Sequence, residues 1–267
     1  MPARYPASHA PLRWQLLPTL VNDGPVNMAL DDAMGSRARA TGLALARVYG
    51  WRQPVLSFGR HQRAAGLYDP NTARQRGIGV VRRPTGGRAV LHFREITYCI
   101  AAPEQALGSL MQAYRTINQL LVEALRQLGV DAQIASPHTK PPRPIAGACF
   151  EEPVAGEIVA SGRKLVGSAQ WRSDGALLQH GSILIADDQS IANELLVTPG
   201  PAPPPAATLR ALLGRNPKLD EFDRTLACAA AKRFGTSPDR VALDDELAKL
   251  TEARRSRYSS DSWTWRR

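Results

Sequence analysis

The sequence of 267 residues predicts an α+β fold in which mixed, largely antiparallel sheets are flanked by helices. Strand-like stretches follow one another in runs, without the strict alternation with helices that a doubly wound parallel sheet requires. Short turns that contain glycine join several of these stretches, as in antiparallel hairpins. The hydrophobic share of 43% is enough to bury a substantial core.

The first half of the chain predicts short strands and two helices. Strands are expected in PLRWQLLP, ALARVYGW and VLSFGRHQ. The helix in GPVNMALDDAMGSRARATG is expected to begin near Pro25, since proline suits a first turn, and to end at Gly42. GVVRRPTGGRAVLHFREITYCIAAP predicts a strand, a glycine turn, a second strand and a third strand from Glu95. The longest helical pattern, LGSLMQAYRTINQLLVEALRQLG, ends at Gly129.

The second half predicts a run of strands between two proline-rich stretches. The short strand DAQIAS precedes the loop PHTKPPRPIAGA. Three strands follow, GEIVAS, RKLVGSAQWR and ALLQHGSILI, with turns at Ser161-Gly162 and Ser173-Asp174-Gly175. The spacer VTPGPAPPPAAT precedes a helical segment that continues to the end of the sequence. We therefore expect a main domain over residues 12–197, and a proline-rich linker with a helical tail over 198–267.

The hydropathy, net charge and cysteine content of the chain indicate where the protein acts and what it binds. No apolar stretch reaches the roughly 18 residues that cross a bilayer, and the N-terminus lacks a signal peptide's apolar region, so we expect a cytoplasmic protein that binds no membrane. The net charge of +10 comes from scattered arginines, which argues against nucleic acid. It leaves open an acidic protein partner or no partner. The cysteines show no metal or disulfide pattern, and Cys99 and Cys228 are expected to be core fillers.

The stretch RRPTGGRAVLH is the first candidate for a binding site. Two adjacent glycines between strands let the backbone approach a ligand and offer amide groups to a carbonyl or an oxyanion. An ordinary hairpin turn explains the same pattern. The stretch is neither a Walker motif nor a dinucleotide-binding fingerprint, because the lysine and the glycine spacing are absent.

The strand pair RKLVGSAQWR and ALLQHGSILI is the second candidate. In this interpretation Gly167 and Ser168 line a pocket, and His180 points into it from the next strand. A lone histidine on a strand is more often a hydrogen-bonded residue without a catalytic role.

Cys149 and Lys164 form the third candidate. Cys149 follows the proline-rich loop, and Lys164 begins a strand fifteen positions later. A free thiol has a pKa near 8.5, so about 3% is thiolate at neutral pH. A nearby ammonium group would lower that pKa and activate the sulfur as a nucleophile. A buried thiol and a solvated lysine explain the same spacing.

Together these motifs resemble the lipoate and octanoate branch of the biotin and lipoyl protein ligase superfamily. The resemblance runs from about Leu12 to Val197. It rests on VLSFGRHQ, on RRPTGGRAVLH, and on GRKLVGSAQWR followed by LLQHGSILI, in that order. It implies the α+β catalytic fold of these ligases, with residues 12–197 as the catalytic domain.

Cys149 marks a division within this branch. ATP-dependent ligases typically carry an asparagine-aspartate pair where this chain has ACFEEP, and three glycines with a His-Asp where it has Arg88 and Phe93. Octanoyltransferases of the Gram-positive type carry Cys-Phe followed by an acidic residue. The resemblance therefore implies an octanoyl-[acyl-carrier-protein]:protein N-octanoyltransferase that needs no cofactor and no metal.

The resemblance also implies roles for single residues and for partners. Cys149 would hold the octanoyl group as a thioester, and Lys164 would lower the pKa of its thiol. The donor would be octanoyl-acyl carrier protein, and the acceptor a lipoyl-domain protein such as the glycine cleavage H protein. Alternatives are an ATP-dependent lipoate-protein ligase, a lipoyl-domain amidotransferase and a non-catalytic binding protein. The residues expected around the acyl group are Arg83, Gly86, Gly87, His92, Gly167, Ser168 and His180.

Overall fold

A computed structural model describes residues 12–136, 156–201 and 203–266. The predicted loop PHTKPPRPIAGA and Cys149 lie outside the described residues. The strands are β1 (Trp14–Leu16), β2 (Leu20–Asn22), β3 (Ala44–Trp51), β4 (Val55–Phe58), β5 (Gly79–Arg82), β6 (Val90–His92), β7 (Glu95–Pro103), β8 (Ala132–Ile134), β9 (Ile158–Ala160), β10 (Arg163–Ser173), β11 (Ala176–Leu184) and β12 (Asp239–Arg240). The helices are α1 (Gly24–Thr41), α2 (Pro70–Gln75), α3 (Leu110–Gln127), α4 (Ser190–Glu194), α5 (Leu209–Leu213), α6 (Leu219–Phe234), α7 (Asp245–Ser259) and α8 (Asp261–Thr264).

The strands form two sheets. In the described part of the chain, the larger sheet has nine strands in the order β12-β1-β3-β7-β11-β10-β9-β8, with β2 also beside β3. Its parallel pairs are β1 with β12, β1 with β3 and β2 with β3, while β3, β7, β11, β10, β9 and β8 pair antiparallel. The smaller sheet has the order β5-β4-β6. The prediction of mixed, largely antiparallel sheets is confirmed.

The predicted turn residues end the elements as expected. Helix α1 begins one residue before Pro25 and is followed by Gly42, whose φ of 72° places it in the left-handed region. The β10–β11 hairpin turns through Asp174 and Gly175 with φ of 53° and 77°. Two successive positive φ angles match the right-handed twist of the flanking strands, which holds the register of this hairpin.

Helices cover both faces of the larger sheet. Ile96, Tyr98 and Ile100 of β7 join one core with residues of α3 and α6. Cys99 and Ala101, which alternate with them, join a second core with residues of α1 and α7. Because β7 is buried on both faces, every polar group on it needs a partner inside the protein.

The two predicted filler cysteines have different environments. Cys99 is fully buried, whereas Cys228 is exposed, so the prediction for Cys228 is wrong. Helix α6 buries Leu226, Ala229 and Ala230, and the rotation of about 100° per residue leaves Cys228 on the opposite side.

The C-terminal segment packs against the rest of the chain. Its predicted helices are interrupted by β12, which pairs with β1. The indole Nε1 of Trp263 donates to the carbonyl of Arg82 at 2.8 Å. In return, Nε of Arg82 donates to the carbonyl of Thr264 at 2.9 Å. The last helix is thereby held against the end of β5, and the division into residues 12–197 and 198–267 stays a prediction.

Candidate active site

Two rows of paired residues on one face of the larger sheet contribute residues to a cleft. In one row, Cys99 on β7 pairs with His180 on β11. In the next row, Thr97 pairs with Ser182, and Ser182 pairs with Gly167 on β10. Register partners present their side chains on the same face of a sheet, so these residues lie side by side.

The cleft brings together three stretches that are far apart in the sequence. They are the turn at Thr85-Gly86-Gly87, called the Thr-Gly-Gly turn below, the middle of β10 and the middle of β11. Gly86 lies in the same turn, next to a lining residue. The predicted site residues that line the cleft are Arg83, Gly87, His92, Gly167, Ser168 and His180. Its other lining residues are Met28, Tyr49, Ser57, Val90, Thr97, Ala169, Gly181 and Ser182.

Arg83 fixes the shape of the Thr-Gly-Gly turn from inside. Its Nη2 donates to the carbonyls of Gly86 and Arg88, each at 2.7 Å. Its Nη1 donates to the carbonyl of Ser57 on β4 at 3.0 Å. Gly87 has a φ of 95°, which a residue with a side chain adopts only under strain. The guanidinium group therefore holds the turn against the smaller sheet.

His180 belongs to a buried polar network. Its Nδ1 lies 2.7 Å from Oδ2 of Asp31, and its Nε2 lies 2.6 Å from Oγ1 of Thr85. Burial lowers the pKa of His180, although Asp31 acts in the opposite direction. The neutral ring therefore donates from Nδ1 to the carboxylate and accepts from the Thr85 hydroxyl at Nε2.

Asp31 is charged although it is fully buried. Burial by itself raises the pKa of Asp31, but Arg47 and His180 outweigh it and hold that pKa below its ordinary value. Asp31 and Arg47 were not among the site residues predicted from the sequence. A signal existed, because Asp31 lies three positions from both Met28 and Met34 on the buried face of α1. A carboxylate on such a face requires a partner in the core.

His92 has a carboxylate partner of its own. Its Nδ1 lies 2.8 Å from Oε1 of Glu95, and its Nε2 lies 2.7 Å from Oγ of Ser57. The Trp51 ring stacks on the imidazole with 4.2 Å between the ring centroids. Glu95 and Ser57 were not predicted from the sequence: Ser57 reaches His92 through the pairing of β4 with β6, whereas Glu95 begins β7 three positions after His92.

Lys164 is buried on β10, eight positions after Gly156, which begins the second described range. Its Nζ lies 2.7 Å from Oε1 of Glu157, and the lysine side chain is 3% exposed. A register shift between Lys164 and Val166 interrupts the β9–β10 pairing at this point. Cys149 lies outside the described residues, so its separation from Lys164 stays a prediction. Glu157 was not predicted from the sequence as a partner of Lys164.

Ser168 faces the side of the sheet opposite to His180. Its Oγ lies 2.7 Å from the hydroxyl of Tyr98, which accepts from Nε2 of Gln179 at 3.0 Å. Gln179 also donates to Asn118 of α3 at 2.9 Å, and Asn118 donates to the carbonyl of Gly156 at 2.8 Å. This chain of bonds connects β10 beside the cleft to the residue that begins the second described range.

The described part of the chain contains neither a candidate metal site nor a candidate membrane-spanning helix. Over residues 12–136, 156–201 and 203–266, no cluster of histidine, cysteine, aspartate and glutamate side chains is suited to hold a metal ion. Within the same ranges, none of the helices has the length and apolar character to span a membrane.

Known proteins resemble this chain in sequence and in architecture. Residues 23–231 match the lipoyl protein ligase A/B catalytic domain, and the chain belongs to this family. An octanoyltransferase LipM from Kyrpidia tusciae is 37% identical over 271 aligned positions, which cover 95% of this chain and 99% of that protein. The resemblance proposed from the sequence motifs, including its Gram-positive octanoyltransferase type, is confirmed.

Solved structures confirm the predicted fold. A lipoate-protein ligase A bound with ATP superposes with a TM-score of 0.79 at 20% identity, covering 95% of this chain and 99% of that one. A bi-partite lipoate protein ligase from Thermoplasma acidophilum, described together with its E2 lipoyl domain, gives 0.76 at 19% identity, covering 95% and 96%.

Proposed function

We propose that this protein is an octanoyltransferase that moves an octanoyl group from acyl carrier protein to a lysine of a lipoyl domain, through a thioester on Cys149. The observation that carries the proposal is the relationship, over nearly the whole of both chains, to an octanoyltransferase. The cleft supports it, because six of the residues that the sequence resemblance assigns to the acyl site line one cavity.

The first half-reaction is a thioester exchange. The thiolate of Cys149 attacks the thioester carbonyl of octanoyl-acyl carrier protein, and the carrier's own thiolate leaves. Backbone amides of the Gly86-Gly87 turn or of Gly167-Ser168 would stabilise the oxyanion that forms. The bond broken and the bond formed are of the same kind, so this step needs no nucleotide.

The second half-reaction forms an amide. The amine of the acceptor lysine attacks the carbonyl of the enzyme thioester, and the sulfur of Cys149 leaves as thiolate. One proton of the amine must be removed in this step. Lys164 would stabilise the thiolate in both half-reactions. An apolar binding site would select the eight-carbon chain, at about 0.8 kcal/mol for each buried methylene.

The proposed donor is acyl carrier protein, and the proposed acceptor is a lipoyl-domain protein such as the glycine cleavage H protein. The net charge of +10 suits acidic partners, since complementary charge accelerates association. A structural relative has been described with its own E2 lipoyl domain, which supports a lipoyl domain as acceptor here.

A donor comparison tests the proposal. Purified protein is incubated with a lipoyl domain and either octanoyl-acyl carrier protein alone, or free octanoate with ATP and Mg²⁺. We expect octanoylation of the lipoyl domain from the carrier donor without ATP. Labelling that requires free acid and ATP would support a lipoate-protein ligase instead. Transfer only from an octanoylated H protein would support an amidotransferase.

Replacing Lys164 by methionine tests how the thiol is activated. We expect the apparent pKa of Cys149, measured by iodoacetamide labelling across pH, to rise by about one unit when the ammonium group is removed. The rise is limited because Glu157 already offsets part of the charge, at 2.7 Å from Nζ. Lys232→Met on α6 is the matched control. Superimposable labelling curves for Lys164→Met and the parent protein would remove Lys164 from the mechanism.

Gly59→Ala tests the position of the Thr-Gly-Gly turn. A methyl group on Gly59 would lie 2.0 Å from the carbonyl oxygen of Gly87, so the turn must move. A misplacement of about 1 Å near a reaction centre costs roughly 10²-fold in rate. We expect that loss in octanoyl transfer, whereas Gly35→Ala, whose methyl would meet its nearest neighbour at 3.7 Å, keeps the parent rate. An unchanged transfer rate in Gly59→Ala would contradict the role of the turn.

A further inference from the structure

Two buried arrays of a hydroxyl group, a histidine and a carboxylate meet at the cleft. In each array Nδ1 of the histidine faces the carboxylate and Nε2 faces the hydroxyl group. This is the connectivity by which a carboxylate orients an imidazole as a base toward a hydroxyl group. The arrays are Thr85–His180–Asp31 and Ser57–His92–Glu95.

The charge of the first array is already balanced. Arg47 donates to Oδ1 of Asp31 from Nε at 2.9 Å and from Nη2 at 2.7 Å. This ion pair is shielded from solvent, with side-chain exposures of 1% and 0%. His180 therefore faces a carboxylate whose charge another cation compensates, and it gains little by taking up a proton.

In the second array no described lysine or arginine pairs directly with the carboxylate. Oε1 of Glu95 faces four donors: Trp51 Nε1 at 3.2 Å, Thr97 Oγ1 at 2.5 Å, Ser182 Oγ at 2.9 Å and His92 Nδ1 at 2.8 Å. The Glu95 side chain is 1% exposed. Oε2 of Glu95 is buried without a hydrogen-bond partner among the described residues. His92 contacts this carboxylate, so a proton taken up by its ring would compensate the negative charge of Glu95.

The hydrogen bonds around Ser57 set the direction of proton movement. Nη1 of Arg83 donates to Oγ of Ser57 at 3.1 Å, and a guanidinium group cannot accept a proton in return. The hydroxyl hydrogen of Ser57 is therefore directed to Nε2 of His92, at 2.7 Å. Ser57 and His92 both line the cleft, so a group bound there can give a proton to Oγ while Oγ passes its own to the ring.

We propose that Ser57, His92 and Glu95 form the proton relay of the amide-forming step, with His92 as the proton acceptor and Glu95 as its positioning residue. This inference rests on the proposed function. As the N–C bond to the octanoyl carbonyl forms and the C–S bond of the thioester breaks, the proton of the lysine amine moves to Oγ of Ser57. The Ser57 proton moves to Nε2 of His92, and the electron pair leaves with the sulfur. The resulting imidazolium is stabilised by Glu95 and later releases its proton to solvent.

The relay predicts that the two half-reactions separate in a His92→Gln variant. Octanoyl-enzyme should still form from octanoyl-acyl carrier protein, but its single-turnover transfer to the lipoyl domain should fall about 10²-fold, as expected on loss of a general base. Glu123→Gln, which removes an α3 carboxylate paired with Arg233 of α6, is the control and should transfer at the parent rate. An equal loss in both half-reactions, or no loss in the second, overturns the relay.

Glu95→Gln isolates the contribution of the charge, since glutamine retains an oxygen acceptor for His92. Without the carboxylate the imidazolium is less favoured, so the pH–rate profile of the transfer step should move to lower pH. Among the described residues, Arg83, which shares Ser57 with His92, and His180 are further charged or titratable groups beside His92. A merely structural role would lower the rate at every pH and leave the profile in place, which contradicts the relay.

A measurement on the parent protein separates the relay from the proposed function. ¹⁵N spectra of histidine-labelled full-length protein should show neutral His92 protonated at Nδ1, even if no octanoyl transfer is found with any donor. A ring protonated at Nε2 only would overturn the relay while leaving the octanoyltransferase proposal intact. Failure of transfer from octanoyl-acyl carrier protein in the parent protein would instead overturn the proposed function.

Discussion

Cys149→Ser is expected to abolish formation of the octanoyl-enzyme and to reduce octanoyl transfer by at least about 10³-fold, because a serine hydroxyl is a far weaker nucleophile than a thiolate. The substitution preserves the size of the side chain. The reaction is followed by intact mass after incubation with octanoyl-acyl carrier protein, where the parent protein should gain one octanoyl group.

Cys228→Ser provides the matched control for this experiment. Cys228 is exposed on α6, so it is available to reagents in solution but does not line the cleft. We expect this variant to acquire the same octanoyl group as the parent protein. A mass gain in Cys149→Ser, or its loss in Cys228→Ser, would show that the acyl group is carried elsewhere.

Asp31→Asn is expected to lower the free energy of unfolding by about 3–5 kcal/mol, since it leaves the buried guanidinium of Arg47 without its carboxylate. The change keeps the shape of the side chain and removes its charge. Urea unfolding of the full-length protein measures the effect. Asp239→Asn is the control, because Asp239 pairs with Arg13 at 3.1 Å with side-chain exposures of 57% and 72%, and exposed pairs contribute about 0–1 kcal/mol. Equal losses in the two variants would contradict a special role for the buried pair.

The same pair predicts how stability depends on pH. Burial raises the pKa of Asp31, but Arg47 and His180 lower it further, so the pKa lies below its ordinary value. Its contribution to stability is therefore fully present above the unfolded pKa of about 3.9 and is lost as the pH falls through the folded pKa. In Asp31→Asn this acid-dependent part of the stability should disappear. A parent-like decrease in stability below about pH 4 would contradict the assignment.

Part of the cleft could be predicted from the sequence motifs. It predicted the octanoyltransferase that the relatives support, and it selected Arg83, Gly87, His92, Gly167 and His180, which do line one cleft. It did not find the carboxylates that orient the two histidines. Glu95 is only three positions from His92, but the motif does not indicate that the two side chains meet, and Asp31 reaches His180 through the packing of α1 against the sheet.

The sequence by itself determined the kinds of element, their order and the turns between them. Periodic apolar residues and residues able to adopt positive φ act locally, so the hairpin turn at Asp174-Gly175 and the end of α1 at Gly42 could be read directly. Only the tertiary structure decided which buried charges meet. Asp31 is 149 positions from His180, and the packing of α1 against the sheet brings their side chains to 2.7 Å. A buried charge needs a partner inside the protein, but its burial does not determine which residue that partner is.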